Sequence, residues 1–310
     1  MINKDLIKEL PKDVTAKYNV NLAKYSSFRV GGLCPLFIDC PTSMLLADTI
    51  NILNKYAIKF IIIGEGTNIL VSDDGLSDVV IRFCSNTEEV IIKKNRIISP
   101  AQINLDDLVV YAINSNLGDI SYLSGIPGTV GGAVSGNAGA FGKQIGDVII
   151  SGEIITSSGL IKKISPEEFN FSYRSSSLKE SSNYLLNITL SLEQINKDHL
   201  LNERNRILSL RKDKHPDWKK EPCAGSVFRN IEPTSAAEKR QAAGWFLEEA
   251  GVKDFKEGGA YIYPKHANII IAGESATAKD VYLLSQRMKK AVKDKFNINL
   301  VREIKLLGNY

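Results

Sequence analysis

Apolar residues recur at spacings of three and four over residues 42–56 and 106–116, which predicts an amphipathic helix in each stretch. Short β-branched runs follow both. One of them, 59–63, reads as a buried strand, passes directly into Gly64-Glu-Gly-Thr-Asn-Ile-Leu70, and is succeeded by extended sequence at 70–72 and 78–83. From 147 to 192 the pattern becomes β-branched runs separated by turns, at 148–150, 152–156, 160–164 and 184–190. Strands clustered this way indicate an α+β fold, not the regular alternation of a doubly wound sheet. Residues 197–213 are charged on every side and predict a connector helix, broken by His215-Pro-Asp-Trp-Lys-Lys-Glu-Pro222.

A second region follows the connector. Ser235 and Glu238 have the spacing of a capping box, predicting a helix from there through Ala250 with Gly251 as its stop. Thr277 and Asp280 open a further helix, whose stripe of Val281, Leu284, Met288, Val292 and Phe296 is core. The chain then reads as extended over 299–307. Leu300, Arg302, Ile304 and Leu306 fall on one face; Val301, Glu303, Lys305 and Leu307 fall on the other.

The residues from Leu123 to Gly142 hold seven glycines in twenty positions and no charge before Lys143. Glycine permits positive φ and close approach of backbone to a ligand, and successive inward N–H groups make a nest for an anion. Ile126, Pro127, Val130, Val134 and Phe141 are expected to tie the stretch to a core. A structural turn would account for two or three of the glycines, so a nucleotide cradle is favoured. Gly142-Lys143 followed by Gln144 is not a P-loop. The strand, glycine loop, strand order around Gly64 and Gly66 is not a Rossmann fingerprint either. Two such loops suggest one extended ligand crossing both.

With 310 residues, 44% hydrophobic and 24% charged, the chain has the make-up of a soluble protein with room for two or three cores. A net charge of +4, from 39 basic and 35 acidic residues, suits an anionic substrate and gives no support to nucleic-acid binding. No apolar run has the length of a membrane span, and the first residues lack the pattern of a signal peptide. Cys34, Cys40, Cys84 and Cys223 show no CxxC spacing and read as reduced thiols of a cytoplasmic protein. His199, His215 and His266 have no ligand spacing, so no metal site is expected. None lies before 199, so no histidine could attach a cofactor covalently in that region.

Taken in order, these segments resemble the UDP-N-acetylenolpyruvoylglucosamine reductase family. Ser27-Phe-Arg-Val-Gly-Gly32, Gly64-Glu-Gly-Thr-Asn68, Ser124-Gly-Ile-Pro-Gly-Thr-Val-Gly-Gly-Ala133 and Asn137-Ala-Gly-Ala140 are similar to its flavin-side motifs. Tyr173-Arg-Ser175, Ala224-Gly-Ser-Val-Phe-Arg-Asn230, Ala243-Gly244, Lys265-His-Ala-Asn268 and Arg302-Glu-Ile-Lys305 are similar to its substrate-side motifs. The compact Tyr-Arg-Ser context resembles the shorter class, without an extra loop over the substrate. The resemblance implies a two-part FAD-binding region of the vanillyl-alcohol-oxidase type over 1–196, with a subdomain boundary near 73. A smaller α+β substrate-binding domain would follow over 197–310, ending in a strand that carries Glu303.

The family reaction reduces the enolpyruvyl ether of a UDP-sugar with NADPH through non-covalent FAD, in peptidoglycan synthesis. Carried over, Arg174, Ser226 and Glu303 are the catalytic residues: cation at the carboxylate, proton donor, and polarising carboxyl. Gly64, Gly66, Thr67, Asn68, Ile69, Gly125, Ile126, Pro127, Gly128, Thr129, Gly132, Ala133, Asn137, Ala138 and Gly139 would contact the cofactor. Tyr173, Lys214 and Asn230 would contact the substrate. Without the resemblance, Arg174 reads as a solvated surface residue, Ser226 as a turn serine and Glu303 as an edge-strand charge. Ser135, Gly136, Arg302 and Ala272 depart from the family pattern, and those at 135, 136 and 272 make a related flavoprotein acting on another nucleotide sugar or sugar acid the alternative. The oligomeric state is left open, and a monomer is compatible with the sequence.

Overall fold

The structure, a computed structural model, describes residues 4–233 and 240–310. Two compact units divide it, each built from three separate segments. The first runs to Tyr18 and then takes Pro35–Glu65 and Asp78–Arg211; the second takes Asn19–Cys34, Gly66–Ser77 and Lys212–Tyr310. The chain therefore changes unit inside the first glycine loop, between Glu65 and Gly66.

In the first unit, Val79–Arg82 lies between Leu33–Asp39 and Phe60–Ile63 and pairs parallel with both. The helix Ser43–Lys55 covers this sheet with Leu46, Ala47, Ile50 and Leu53 buried, and Thr42 caps it by accepting from the Leu45 N–H at 3.3 Å. A second sheet is antiparallel, in the order Ile161–Ile164, Ile149–Ile155, Tyr184–Ser191, Arg96–Pro100, Ile91–Lys93. The runs at 148–150 and 152–156 are thus one continuous strand, not two. Leu105–Asn114 and Lys197–Lys214 are helical close to the expected bounds. One continuous hydrophobic core joins both sheets and the helix Leu105–Asn114.

The second unit packs the helices Ala243–Glu249 and Ala278–Phe296 with the antiparallel strands Lys256–Glu257, Ala260–Ile262 and Ile270–Ala272. Thr277 and Asp280 form the reciprocal capping box, and Val281, Leu284, Met288 and Val292 are fully buried, as the stripe predicted. Asp73 adds to that cap: its two carboxylate oxygens accept from the N–H groups of Ala278 and Lys279 at 2.8 and 2.9 Å. The capping box expected at Ser235 and Glu238 lies outside the described residues. Residues 240–242 are not helical, so the following helix begins at Ala243, later than the pattern suggested.

The C-terminal segment also departs from expectation. Leu300 and Ile304 are buried and Val301 is exposed, in keeping with alternation, but a bend at Ile304 shifts the pattern so that Leu307 is buried instead of Leu306. The strand is only Lys305–Leu307, parallel to Ile69–Val71. Glu303 precedes it, beside an isolated bridge between Arg302 and Phe228. No helix among the described residues is long and apolar enough to cross a membrane. All four cysteines are free.

Candidate active site

The first unit brings part of the two glycine loops together. Phe60–Ile63 delivers Gly64 to a point where an added Cβ would stand 2.5 Å from the Thr129 hydroxyl. Only glycine fits there. Thr129 is held in turn by the extended segment before Leu105: Leu105 N–H donates to the Gly128 carbonyl at 2.9 Å, and the N–H groups of Val130 and Gly131 donate to Ile103 and Ala101 at 3.0 and 2.7 Å. Asn104 completes the junction. Its Oδ1 caps the helix at the Asp106 N–H (2.9 Å), and its Nδ2 donates to Glu65 Oε1 at 2.8 Å. One asparagine thus ties the first glycine loop to the template of the second.

The second stretch is less of an open nest than its composition suggested. Val130–Ser135 is a short helix, capped by the Thr129 hydroxyl accepting from the Gly132 N–H at 3.2 Å. The N–H groups of Gly125, Ile126, Val130, Gly131, Gly132, Ala133, Gly136, Asn137 and Ala138 are all bonded within the protein. Those of Gly128 and Thr129 have no protein acceptor among the described residues. Val130 and Val134 are fully buried as expected; Pro127 and Phe141 are exposed, and Phe141 instead meets the Arg206 guanidinium 5.7 Å from its ring centre.

Buried hydroxyls mark where a polar ligand would be received. Ser121 and Ser124, just before Gly125, are at most 1% exposed, and their Oγ atoms have no partner among the described residues. Ser26 and Ser27, in the second unit beside Gly66, are 6% exposed and their Oγ atoms likewise have no partner among the described residues. A buried hydroxyl left unpaired is costly, so these groups fit a ligand rich in hydrogen-bonding oxygens, as a dinucleotide is. Gly66 has φ of 68° and its carbonyl accepts from the Ser27 N–H at 3.0 Å.

Arg174 sits in a tight turn of the first unit, where Ser172 and Ser175 exchange backbone bonds of 3.1 and 3.2 Å. Its φ of 55° is left-handed, a conformation rare for a non-glycine residue and common where geometry serves a site. Asn137, buried at 1%, holds this turn: its Nδ2 donates to the Ser172 carbonyl at 2.9 Å and its Oδ1 accepts from the Gly146 N–H at 3.1 Å. The Tyr173 ring lies 5.5 Å from the Arg174 guanidinium carbon.

Ser226 and Glu303 come together in the second unit. The Glu303 N–H donates to the Val227 carbonyl at 2.8 Å, and Ser226 bridges Ile269. The framing residue is Asn268, 2% exposed. Its Oδ1 accepts from the Phe228 N–H at 2.9 Å, its Nδ2 donates to the Phe228 carbonyl at 2.8 Å, and its own carbonyl accepts from Val227 at 2.8 Å. The side chain imitates a strand partner. Replacing Asn268 with alanine strands both groups of Phe228, and the expected loss is about 2–4 kcal/mol of stability, read as a lowered urea midpoint. Wild-type stability in Asn268→Ala would contradict this role.

Lys214 is exposed at the end of the connector helix, and its charge reaches His266. Burial first, and then Lys214, hold the His266 imidazole below its ordinary pKa, so it is neutral at pH 7. His266 Nδ1 accepts from the Asn268 N–H at 3.2 Å, and its ring centre is 5.5 Å from that of His215. Asn230 is exposed, and its Oδ1 accepts from the Ala243 N–H at 3.2 Å, at the start of the next helix. Asn68 Nδ2 donates to the Glu303 carbonyl at 3.3 Å, and the Asn68 carbonyl accepts from Lys305 at 3.0 Å. In this way the far end of the first glycine loop is joined to the segment carrying Glu303.

Residues 36–165 match the family model described as FAD binding domain, and 216–307 match UDP-N-acetylenolpyruvoylglucosamine reductase, C-terminal domain. The enzyme of that name from Clostridium novyi is 34% identical over 307 residues, spanning 99% of this chain and 96% of its own. The chain belongs to the UDP-N-acetylenolpyruvoylglucosamine reductase family. The Bacillus subtilis reductase is 31% identical over 306 residues, covering 98% of each chain. The crystal structure of the Thermus caldophilus reductase superposes with a TM-score of 0.78 at 27% identity, covering 95% of this chain and 99% of that one.

Within this reductase family fold, the first unit holds Gly64, the Gly125–Gly139 stretch, Tyr173 and Arg174. The second holds Gly66, Thr67, Asn68, Ile69, Lys214, Ser226, Asn230 and Glu303. Sequence reading passed over Asn104, Asp106, Arg204 and the framing role of Asn268. An Asn two residues before an acidic pair at a helix start is a capping signal that could have exposed Asn104. The other three act through partners 98 and 40 residues distant, which no local pattern discloses.

Proposed function

We propose that this chain is a cytoplasmic reductase that uses NADPH and non-covalent FAD to convert the enolpyruvyl ether of UDP-N-acetylglucosamine into UDP-N-acetylmuramate for peptidoglycan synthesis. The observation that carries the reading is the bond from Glu303 to Val227, the neighbour of Ser226, in one framed segment, in a chain of this family that also keeps Arg174 in a constrained turn. The matched regions support a flavin-binding region over 1–196 and a substrate-binding domain over 197–310. Gly64, Thr129, the N–H groups of Gly128 and Thr129 that have no acceptor among the described residues, and the hydroxyls of Ser121 and Ser124 would hold the flavin nucleotide in the first unit. When bound, FAD supplies the carrier of hydride between NADPH and the sugar.

The protein's share of the chemistry concerns charge and a proton. Hydride arriving at the methylene carbon of the enolpyruvyl group leaves negative charge at C2 and on the attached carboxylate. A fixed guanidinium at Arg174 stabilises that charge as it develops. Glu303 polarises the carboxylate, and the Ser226 hydroxyl delivers the proton to C2, completing net addition of two hydrogens. Tyr173, Lys214 and Asn230 would bind the nucleotide-sugar, with Lys214 supplying charge for its diphosphate.

Incubating the flavin-loaded protein with NADPH and the enolpyruvyl UDP-sugar tests the reading. The expected product is heavier by two hydrogens and forms in step with NADPH loss. NADPH loss without that product, or no loss dependent on the sugar, would reject it in favour of another substrate.

A further inference from the structure

The turn at Gly125 is held by a charged pair that no reading of the motifs includes. Asp106 accepts from the Gly125 N–H at 2.8 Å through Oδ1, and both its oxygens take the Arg204 guanidinium in a fork at 2.6 Å each. The Arg204 side chain is 15% exposed and that of Asp106 32%, so solvent screens the pair only in part. Arg204 lies on the helix Lys197–Lys214, and Leu208 and Arg211 follow at spacings of four and three on the same face. A Cβ on Gly125 would stand 2.8 Å from Leu208 and 3.2 Å from Arg211, so that face is seated directly on the turn. Arg211 donates to the Tyr122 carbonyl at 3.4 Å, and its Nε is buried without a partner among the described residues.

We propose that Asp106 and Arg204 are positioning residues for the anion cradle of the first unit, fixing Gly125 against the connector helix while leaving Arg211 its charge. The inference rests on the flavin reading above. A bare carboxylate next to an anion cradle would repel a diphosphate, and Arg204 neutralises it in place. Burial opposes ionisation of Asp106, but Arg204, the Gly125 N–H and the charge of Arg211 outweigh it and keep the carboxyl below its usual range. The pair therefore stays charged at neutral pH. Of the two guanidiniums on this helix face, Arg204 is matched by Asp106 and Arg211 is left with positive charge in excess.

Apo-proteins carrying Asp106→Ala, Asp106→Asn and Arg204→Met, and their parent, are titrated with FAD by flavin fluorescence, well below their melting temperatures and at two salt concentrations. The expected result is a rise in Kd on the order of tenfold to a hundredfold for Asp106→Ala and Arg204→Met. Asp106→Asn, which keeps an acceptor for Gly125, lies between these and the parent. Asp106→Ala combined with Arg204→Met is no worse than the weaker-binding single variant, because the two act as one device. Folded Asp106→Asn and Arg204→Met proteins with the parent Kd at both salts would overturn this inference alone. A parent that does not bind FAD would overturn the flavin reading itself.

Discussion

Ser226→Ala is expected to lower turnover by about 10²–10⁴ while leaving flavin reduction by NADPH at its wild-type rate. The split follows from where the hydroxyl stands. The Ser226 backbone is fixed by its bridge to Ile269 and by the Asn268 frame, neither of which uses the side chain. Removing one oxygen therefore takes away the proposed proton donor and leaves the loop in place. Glu303 is still held by its N–H to the Val227 carbonyl, and Arg174 keeps its turn. Rapid-mixing measurement of the two half-reactions separates the outcomes: wild-type flavin reoxidation by the sugar in Ser226→Ala would remove Ser226 from the mechanism.

Gly66→Ala is expected to yield protein without flavin and with a markedly lower melting temperature. A Cβ at Gly66 would overlap the Tyr25 carbonyl oxygen, and the φ of 68° is strained for alanine in addition. Because that neighbour is backbone, relief requires moving the chain around Ser26 and Ser27, whose buried hydroxyls have no partner among the described residues. Gly142→Ala is the control. Gly142 has φ of 81°, but nothing lies within 4 Å of an added Cβ, so only left-handed strain of about 1–2 kcal/mol is expected and flavin is retained. Equal flavin content in both variants, measured from the ratio of visible to protein absorbance, would show that the first glycine loop is not part of the cradle.

Local chemistry was the legible part of this chain. The helix at Ala278–Phe296 could be placed from Thr277, Asp280 and a 3.6-residue stripe because each signal lies within one turn of the residue it governs. The order of strand, glycine loop and strand around Gly64 was readable for the same reason. What failed depended on distant partners. Most of the expected N–H nest between Leu123 and Gly142 is consumed by residues 101–106 and by a helical turn, neither of which glycine content reveals. Phe141, an apparent core anchor, is exposed against Arg206. The strand expected to carry Glu303 gives way to a bridge and a bend because Phe228, itself fixed by Asn268, takes Arg302 as its partner. Of the site, residue types in family order could be read from the sequence, and Asn104 had a local capping signal; the roles of Asp106 and Asn268, which depend on distant partners, could not be read.

Anaerobic stopped-flow absorbance at the flavin band decides whether this protein carries hydride from NADPH to the sugar. NADPH alone is expected to bleach the band, and the enolpyruvyl UDP-sugar added afterwards to restore it in a single turnover. Bleaching that the sugar does not reverse would contradict the proposed substrate, and a flavin-loaded protein that NADPH leaves yellow would contradict the reductase itself.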